Sequence, residues 1–153
     1  MVNQNEKISV LPCMLWRLCA QERDLTLSSY RRCVISDIQD LLNSCCRSDD
    51  MKGAIKKSVL NYGIDSCVGL INSRESTGYV LESVRQALID FEPRLVPGSV
   101  EVKPVKFDEP DSLREVLLEI SAKLKMPDGY EFVNLKARVE LETGKYQVQK
   151  GMS

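Results

Sequence analysis

Val80, Val84, Leu88 and Phe91 recur at i, i+4, i+8 and i+11, with Leu81 and Ala87 beside them. That spacing traces one apolar stripe and predicts a helix from about Ser76 to Phe91. The stripe stops at Pro93, which lacks a backbone N–H and pushes the preceding Glu92 toward extended geometry. Pro97-Gly98 then marks the exit from the turn. Upstream, Tyr30, Val34, Ile38, Leu41, Leu42 and Cys45 repeat at helical spacing, while Arg31, Arg32, Asp37 and Asp40 are placed toward water. This predicts a second helix, capped by Ser28 or Ser29 and ending near Arg47. Leu11, Leu15, Leu18 and Cys19, with Pro12 near the start and Met14 and Trp16 alongside, predict a shorter amphipathic helix. Between the longer two, Ser48-Asp49-Asp50 breaks the pattern, and Val59-Leu60-Asn61-Tyr62-Gly63-Ile64-Asp65 reads as a short apolar piece closed by a glycine turn.

After Gly98 the period changes from helical to two. Val100 and Val102 alternate with Glu101 and Lys103, and Pro104 confines that strand to an edge, an end or a bulge. Val116, Leu118, Ile120, Ala122 and Leu124 alternate with Leu117, Glu119, Ser121 and Lys123, which outweighs the helical composition of residues 112–118. Val133, Leu135, Ala137, Val139 and Leu141 do the same, and Glu142-Thr143-Gly144-Lys145 turns the chain into Tyr146-Gln147-Val148. A sheet with one apolar face needs a cover, and the Val80–Phe91 stripe is the longest available. The expected fold is α+β: N-terminal helices followed by a small, mostly antiparallel sheet of three to four strands covered by a helix. We read a single domain over 1–153, with residues 1–10 disordered, 11–97 helical and 98–150 forming the sheet.

Composition narrows the function classes. The chain has 153 residues, 43% of them hydrophobic, enough for one real core. Twenty-one basic residues nearly balance 22 acidic ones, so there is no basic field or stripe to attract nucleic acid. No signal-like N-terminus and no run of about 18 apolar residues is present, so a cytoplasmic protein without membrane insertion is expected. Cys13, Cys19, Cys33, Cys45, Cys46 and Cys67 form no C-x-x-C pair, and the chain contains no His. In a reducing compartment they read as small apolar fillers rather than disulfides or metal ligands, with no cofactor or metal expected.

Catalytic chemistry is hard to assemble from these residues. Without His there is no Ser-His-Asp or Cys-His arrangement, and no glycine-rich phosphate loop occurs. Glu82, Asp90 and Glu92 remain as a possible glycosidase-like carboxylate set. Glu82 and Asp90 lie eight residues apart on one helix, about 12 Å along its axis, farther than such pairs work. Glu92 beside Arg94 would have its pKa lowered, the reverse of what a general acid needs. We expect no enzyme.

The corner Phe91-Glu92-Pro93-Arg94-Leu95 places an acid, a rigid residue and a base where the apolar stripe ends. Arg94 suits the negative end of the helix dipole, whereas Glu92 does not and needs another partner. Two readings compete: a self-satisfied pair that closes the helix end, or a docking point for another protein.

Taken in order, Leu41-Leu42-Asn43, the Val59–Asp65 stretch, Phe91-Glu92-Pro93-Arg94-Leu95, Ser99-Val100-Glu101-Val102 and Leu141-Glu142-Thr143-Gly144-Lys145-Tyr146 resemble the lysozyme-like baseplate wedge family, whose members include the TssE-like subunits of type VI secretion systems. The resemblance runs from about Leu11 to Val148. It departs from the family at Ser44-Cys45, where Thr-Arg usually follows, and at Asp65, before which a proline is usual. It implies a structural role in the baseplate of a contractile injection machine, with Glu92, Pro93 and Arg94 engaging wedge neighbours of the TssF, TssG and TssK type. It further implies that the C-terminal strands interlock with sheath subunits of the TssB and TssC type and start sheath assembly. The alternative it carries is a peptidoglycan-cleaving hydrolase, the activity recorded in the family's name.

Overall fold

Residues 26–46, 53–70, 74–105, 115–126 and 128–150 are described by the computed structural model. The disordered start and the Leu11–Cys19 helix expected from the sequence lie outside the described residues.

The first helix, α1 (Leu27–Leu42), opens on Thr26 rather than on Ser28 or Ser29. The Ser29 N–H donates to Thr26 Oγ1 at 3.2 Å, and the Thr26 N–H donates to Ser29 Oγ at 2.8 Å. This reciprocal cap, with serine in the place usually held by glutamate or glutamine, satisfies two donors that would otherwise be orphaned. Ser29 is thus inside the helix, in its first turn. Tyr30, Cys33, Val34, Ile38, Leu41 and Leu42 form the buried stripe. The helix stops at Leu42, not near Arg47, because the next residues leave to pair elsewhere. The Ile64 N–H donates to the Ser44 carbonyl at 2.9 Å and the Cys46 N–H to the Ile64 carbonyl at 3.0 Å, a parallel bridge that draws Cys45 off the helical stripe. Cys45 is exposed, unlike the core thiols Cys33 and Cys67.

Two short 3-10 turns, Gly53–Lys57 and Val59–Asn61, lead to the second helix, α2 (Arg74–Phe91). Val80, Val84, Ala87 and Leu88 are buried along it, as the spacing predicts. A further 3-10 turn, Pro97–Ser99, brings the chain into the sheet.

The sheet is a four-stranded antiparallel meander, β1 (Glu101–Val105), β2 (Glu115–Met126), β3 (Gly129–Glu140) and β4 (Lys145–Lys150), in that spatial order. β2 buries Val116, Leu118, Ile120, Ala122 and Leu124 and leaves the residues between them partly or fully open. Strict alternation has therefore overridden the helical composition of this segment. The register sets Leu118 opposite Ala137 and Ile120 opposite Leu135, so one face is continuously apolar. Pro104 lies in β1 at the edge of the sheet, where a missing N–H costs no ladder bond on the open side. Gly144, at φ +68, closes the β3–β4 turn, and its N–H donates to the Glu140 carbonyl at 2.8 Å.

Both helices cover the apolar face, α1 over β4 and α2 over β1. The sequence suggested the α2 stripe alone. Four strands at about 4.8 Å spacing make a layer wider than the roughly 10 Å of one helix, so a second is required. The core between the layers includes Ile38, Leu42, Val84, Leu88, Leu118, Ala137 and Val139. The class is α+β, as expected.

Candidate partner-binding site

At Phe91 the helix ends against the sheet, and the backbone of the next residues is sewn to β2. The Glu92 N–H still donates to the Leu88 carbonyl, and the Leu95 N–H donates to the Glu92 carbonyl, both at 3.1 Å. Leu95 then bridges antiparallel to Leu124. The Lys125 N–H donates to the Arg94 carbonyl at 2.8 Å, the Val96 N–H to the Lys123 carbonyl at 2.9 Å, and the Lys123 N–H to Ser99 Oγ at 2.8 Å. Lys125 Nζ donates to the Pro93 carbonyl at 2.7 Å. Residues 93–99 thus continue the edge that β1 begins, which a proline at position 93 permits because no N–H is required of it.

The side chains of the corner bond mostly to one another, although Arg94 Nη1 is buried without a hydrogen-bond partner. Glu92 is buried at 4% exposure and accepts from Arg94 twice through its guanidinium, Nε to Oε1 at 2.7 Å and Nη2 to Oε2 at 2.6 Å. The Arg94 backbone N–H adds a third bond to Oε1 at 3.1 Å. Arg94 Nη2 also donates to Asp37 Oδ2 on α1 at 2.7 Å. Burial alone would lower the Arg94 pKa, but the bonds and charges of Glu92 and then Asp37 outweigh it and hold the guanidinium above the ordinary arginine value. A bidentate fork of this kind is open to arginine and not to lysine. The triad therefore ties three elements, α1, the end of α2 and the edge beside β2. Pro93 is left exposed at the tip.

The carboxylates weighed as catalytic candidates are each engaged separately. Glu82 pairs with Arg85 at 3.3 Å, and Asp90 accepts from Gln86 at 2.8 Å and lies 3.4 Å from Lys57 Nζ. Among the described residues no group of three or more Cys, Asp or Glu side chains is placed to hold a metal ion.

The family model described as baseplate wedge protein gp25 matches residues 28–128, more than half of the chain. The chain belongs to that family. No curated protein and no solved structure matches it. The family match takes in nearly all of α1, the corner, β1 and β2, and stops before β3 and β4.

The motifs that carry the family resemblance meet in space. Asn43 caps α1 and turns its amide to β4: Nδ2 donates to the Tyr146 carbonyl and Oδ1 accepts from the Tyr146 N–H, both at 2.9 Å. A side-chain amide thereby stands in for one residue of a fifth strand. Gly63, at φ +129, lies so close to the end of α1 that a Cβ there would fall 2.3 Å from the Ser44 carbonyl oxygen. Only glycine fits that approach. Tyr62 packs edge-on against Phe91 with ring centroids 5.5 Å apart. Leu-Leu-Asn, Asn-Tyr-Gly and Glu-Pro-Arg are therefore neighbours around one corner of the fold.

Asp37 and Lys125 are working members of this region that the sequence had not assigned, while Asn43 had been marked only as the end of the Leu41-Leu42-Asn43 motif. Asp37 is 57 positions from Arg94, and nothing local marks it beyond its place at the border of the apolar stripe. The free edge also differs from a simple reading of the hairpin. Tyr146 faces Val139 and turns its N–H and C=O toward Asn43, away from β3. That orientation alternates along an antiparallel strand, so Gln147 and Gln149 direct their backbone groups to β3 while Val148 directs its own outward. No described strand lies beyond β4.

Proposed function

We propose that the chain is a non-enzymatic structural subunit of the baseplate of a contractile injection machine of the type VI secretion kind. In this reading it joins the wedge, formed with TssF-, TssG- and TssK-type subunits, to the first ring of TssB- and TssC-type sheath subunits. Family membership supports the baseplate setting. The observation that carries the sheath role is the edge of β4, beyond which no described strand lies and along which alternation turns the backbone of Val148, a residue 7% exposed, away from β3 while Tyr146 is occupied by Asn43. Main-chain pairing at such an edge gives affinity with little demand on side chains.

The corner at Glu92, Pro93 and Arg94 serves the wedge side. A hydrolytic role finds no support in its geometry, since the carboxylate of Glu92 is spent on Arg94. The reading places the protein in the cytoplasm, consistent with the absence, among the described residues, of a helix long and apolar enough to cross a membrane. Co-expression of the tagged full chain with TssF- and TssG-type subunits of the same machine tests the assignment. Co-purification of a stoichiometric complex is expected, together with no clearing of peptidoglycan in a zymogram. Clearing without complex formation would overturn it in favour of a hydrolase.

A further inference from the structure

We infer that the apolar stretch Leu11–Cys19 of this same chain covers the outer face of the sheet at Tyr130 and Phe132. The inference stands apart from the baseplate reading and concerns how the subunit completes its own surface.

β3 sets Tyr130 and Phe132 on the face turned away from the helices, 70% and 79% exposed. Glu131 between them points the other way and accepts from Arg31 Nε on α1 at 2.8 Å. Strand alternation therefore puts the two rings next to each other on the open face, about 7 Å apart along the strand. The facing positions on β2 are Lys125 and Lys123. Lys123 Nζ lies 5.1 Å from the centroid of the Phe132 ring, while Lys125 Nζ donates to the Pro93 carbonyl at 2.7 Å. One ammonium over one ring leaves most of the aromatic surface in water. Each aromatic side chain brings about 150–250 Å² of surface, so the pair makes an apolar patch of the size that marks a contact.

The point where α1 begins names the occupant. α1 opens on Thr26, and Arg31, which holds Glu131, follows only about 7.5 Å along the helix axis. Tyr30 beside it donates to the Lys125 carbonyl at 3.3 Å. The chain that precedes Thr26 is therefore attached at the end of the sheet that carries the two rings. Residues 1–25 lie outside the described residues; in their sequence, Leu11, Leu15 and Leu18 recur at helical spacing with Trp16 beside them. Such a stripe is about 10 Å long, close to the span of the ring pair, and a helix this short does not hold in water without an apolar surface to pack on. The inner face of the sheet is already covered by α1 and α2. Residues 20–25 reach about 20 Å when extended, twice the roughly 10 Å width of a helix, so the stretch can pass the end of the β2–β3 hairpin to the outer face. A tether of that length holds it at an effective concentration on the order of millimolar, which favours it over a free partner of the same composition. Charge does not oppose the contact: Lys123, Lys125 and Asp128 border the rings, and the segment brings Arg17, Glu22, Arg23 and Asp24, so each side carries both signs.

Trp16 is the chain's only tryptophan and reports on the contact directly. The test measures acrylamide quenching of Trp16 fluorescence in the purified full chain over a range of protein concentrations, for wild type and Tyr130→Ser/Phe132→Ser. Val59→Ser/Leu60→Ser, at another exposed apolar pair, serves as the control. Wild-type Trp16 is expected to be shielded relative to the chain unfolded in guanidinium chloride, and equally so at every concentration. Removing both rings is expected to lower the ratio of docked to free segment at least about tenfold, bringing quenching close to that of the unfolded chain. Melting of the core is expected to stay near wild type, since both positions are exposed. The control is expected to leave Trp16 shielded. Trp16 as open in the folded wild type as in the unfolded chain overturns the inference, and this arm requires no variant to fold. Shielding that survives Tyr130→Ser/Phe132→Ser, or that is lost in the control, places the stretch elsewhere and also overturns it. Shielding that disappears on dilution assigns the rings to a second copy of the chain, with the same consequence.

Discussion

Replacing Arg94 by alanine removes the only cation bonded to Glu92 among the described residues. The carboxylate stays at a site of 4% exposure and loses both guanidinium bonds, at 2.7 and 2.6 Å, and Asp37 loses its 2.7 Å bond as well. Breaking a buried pair from one side is more costly than the pair is worth, because an uncompensated charge remains where water solvates it poorly. The Arg94 side chain is 20% exposed, so some water can enter the space it vacates, and we place the loss at about 2–5 kcal/mol. For a domain of this size that is roughly 4–20 °C in melting temperature. Thermal unfolding followed by circular dichroism measures it. Arg94→Lys is expected to recover only part of the loss, since an ammonium cannot reproduce the fork to Glu92 while reaching Asp37. The double variant Glu92→Gln/Arg94→Met, which keeps an acceptor for the Arg94 N–H and removes the buried charge, is expected to melt above Arg94→Ala despite carrying two changes. A melting temperature for Arg94→Ala within about 1 °C of wild type would refute the reasoning, since a pair worth that little behaves as an exposed one.

Other positions give independent checks. Gly63→Ala sets a Cβ 2.3 Å from the Ser44 carbonyl oxygen at φ +129, and a loss of at least about 1–3 kcal/mol in chemical denaturation is expected; a neutral outcome would show that the α1 end is not held there. Asn43→Ala strips the Tyr146 N–H and C=O of their 2.9 Å partners and is expected to cost about 1–3 kcal/mol, with faster hydrogen exchange at Tyr146. Burial, and then Cys67, holds the Tyr146 hydroxyl above its ordinary pKa of 10.0. The unfolded chain ionises near that ordinary value while the folded one resists, so this contribution is intact below about pH 10 and is lost as pH rises toward the folded value. Tyr146→Phe is therefore expected to flatten, without abolishing, the alkaline fall in denaturation midpoint, because Tyr30 and Tyr62 are also raised; an unchanged slope would contradict the assignment.

Much of the architecture was legible because it follows from periodicity. The α2 stripe, the alternation in β2 and β3 and the glycine turn into β4 each repeat a local rule several times over. The misplacements share a cause, which is that single contacts between distant residues decided them. Thr26 took the cap from Ser28 and Ser29 by pairing back with Ser29. Ser44 and Cys46 abandoned the helix for Ile64, and in the short apolar piece before the glycine turn Val59 and Leu60 face water while Asn61 is buried. The site was half legible. Glu92 and Arg94 announced themselves as an acid and a base around a proline, and Asn43 stood in the Leu41-Leu42-Asn43 motif without any sign that it meets Tyr146, but Asp37, which completes the triad, carries no local signature. The outward backbone at Val148 follows only from knowing that Asn43 occupies Tyr146.

The central claim, a structural subunit whose open β4 edge receives a sheath strand, is tested most directly by fluorescent sheath assembly in cells carrying Val148→Pro or Val148→Ala, with folding of each purified variant checked by circular dichroism. Proline removes the outward N–H and leaves the bonds from Gln147 and Gln149 to β3 in place, while alanine removes only side-chain packing. The account predicts sheaths with the alanine variant and none with a folded proline variant. Normal sheath assembly by the folded Val148→Pro protein would contradict it.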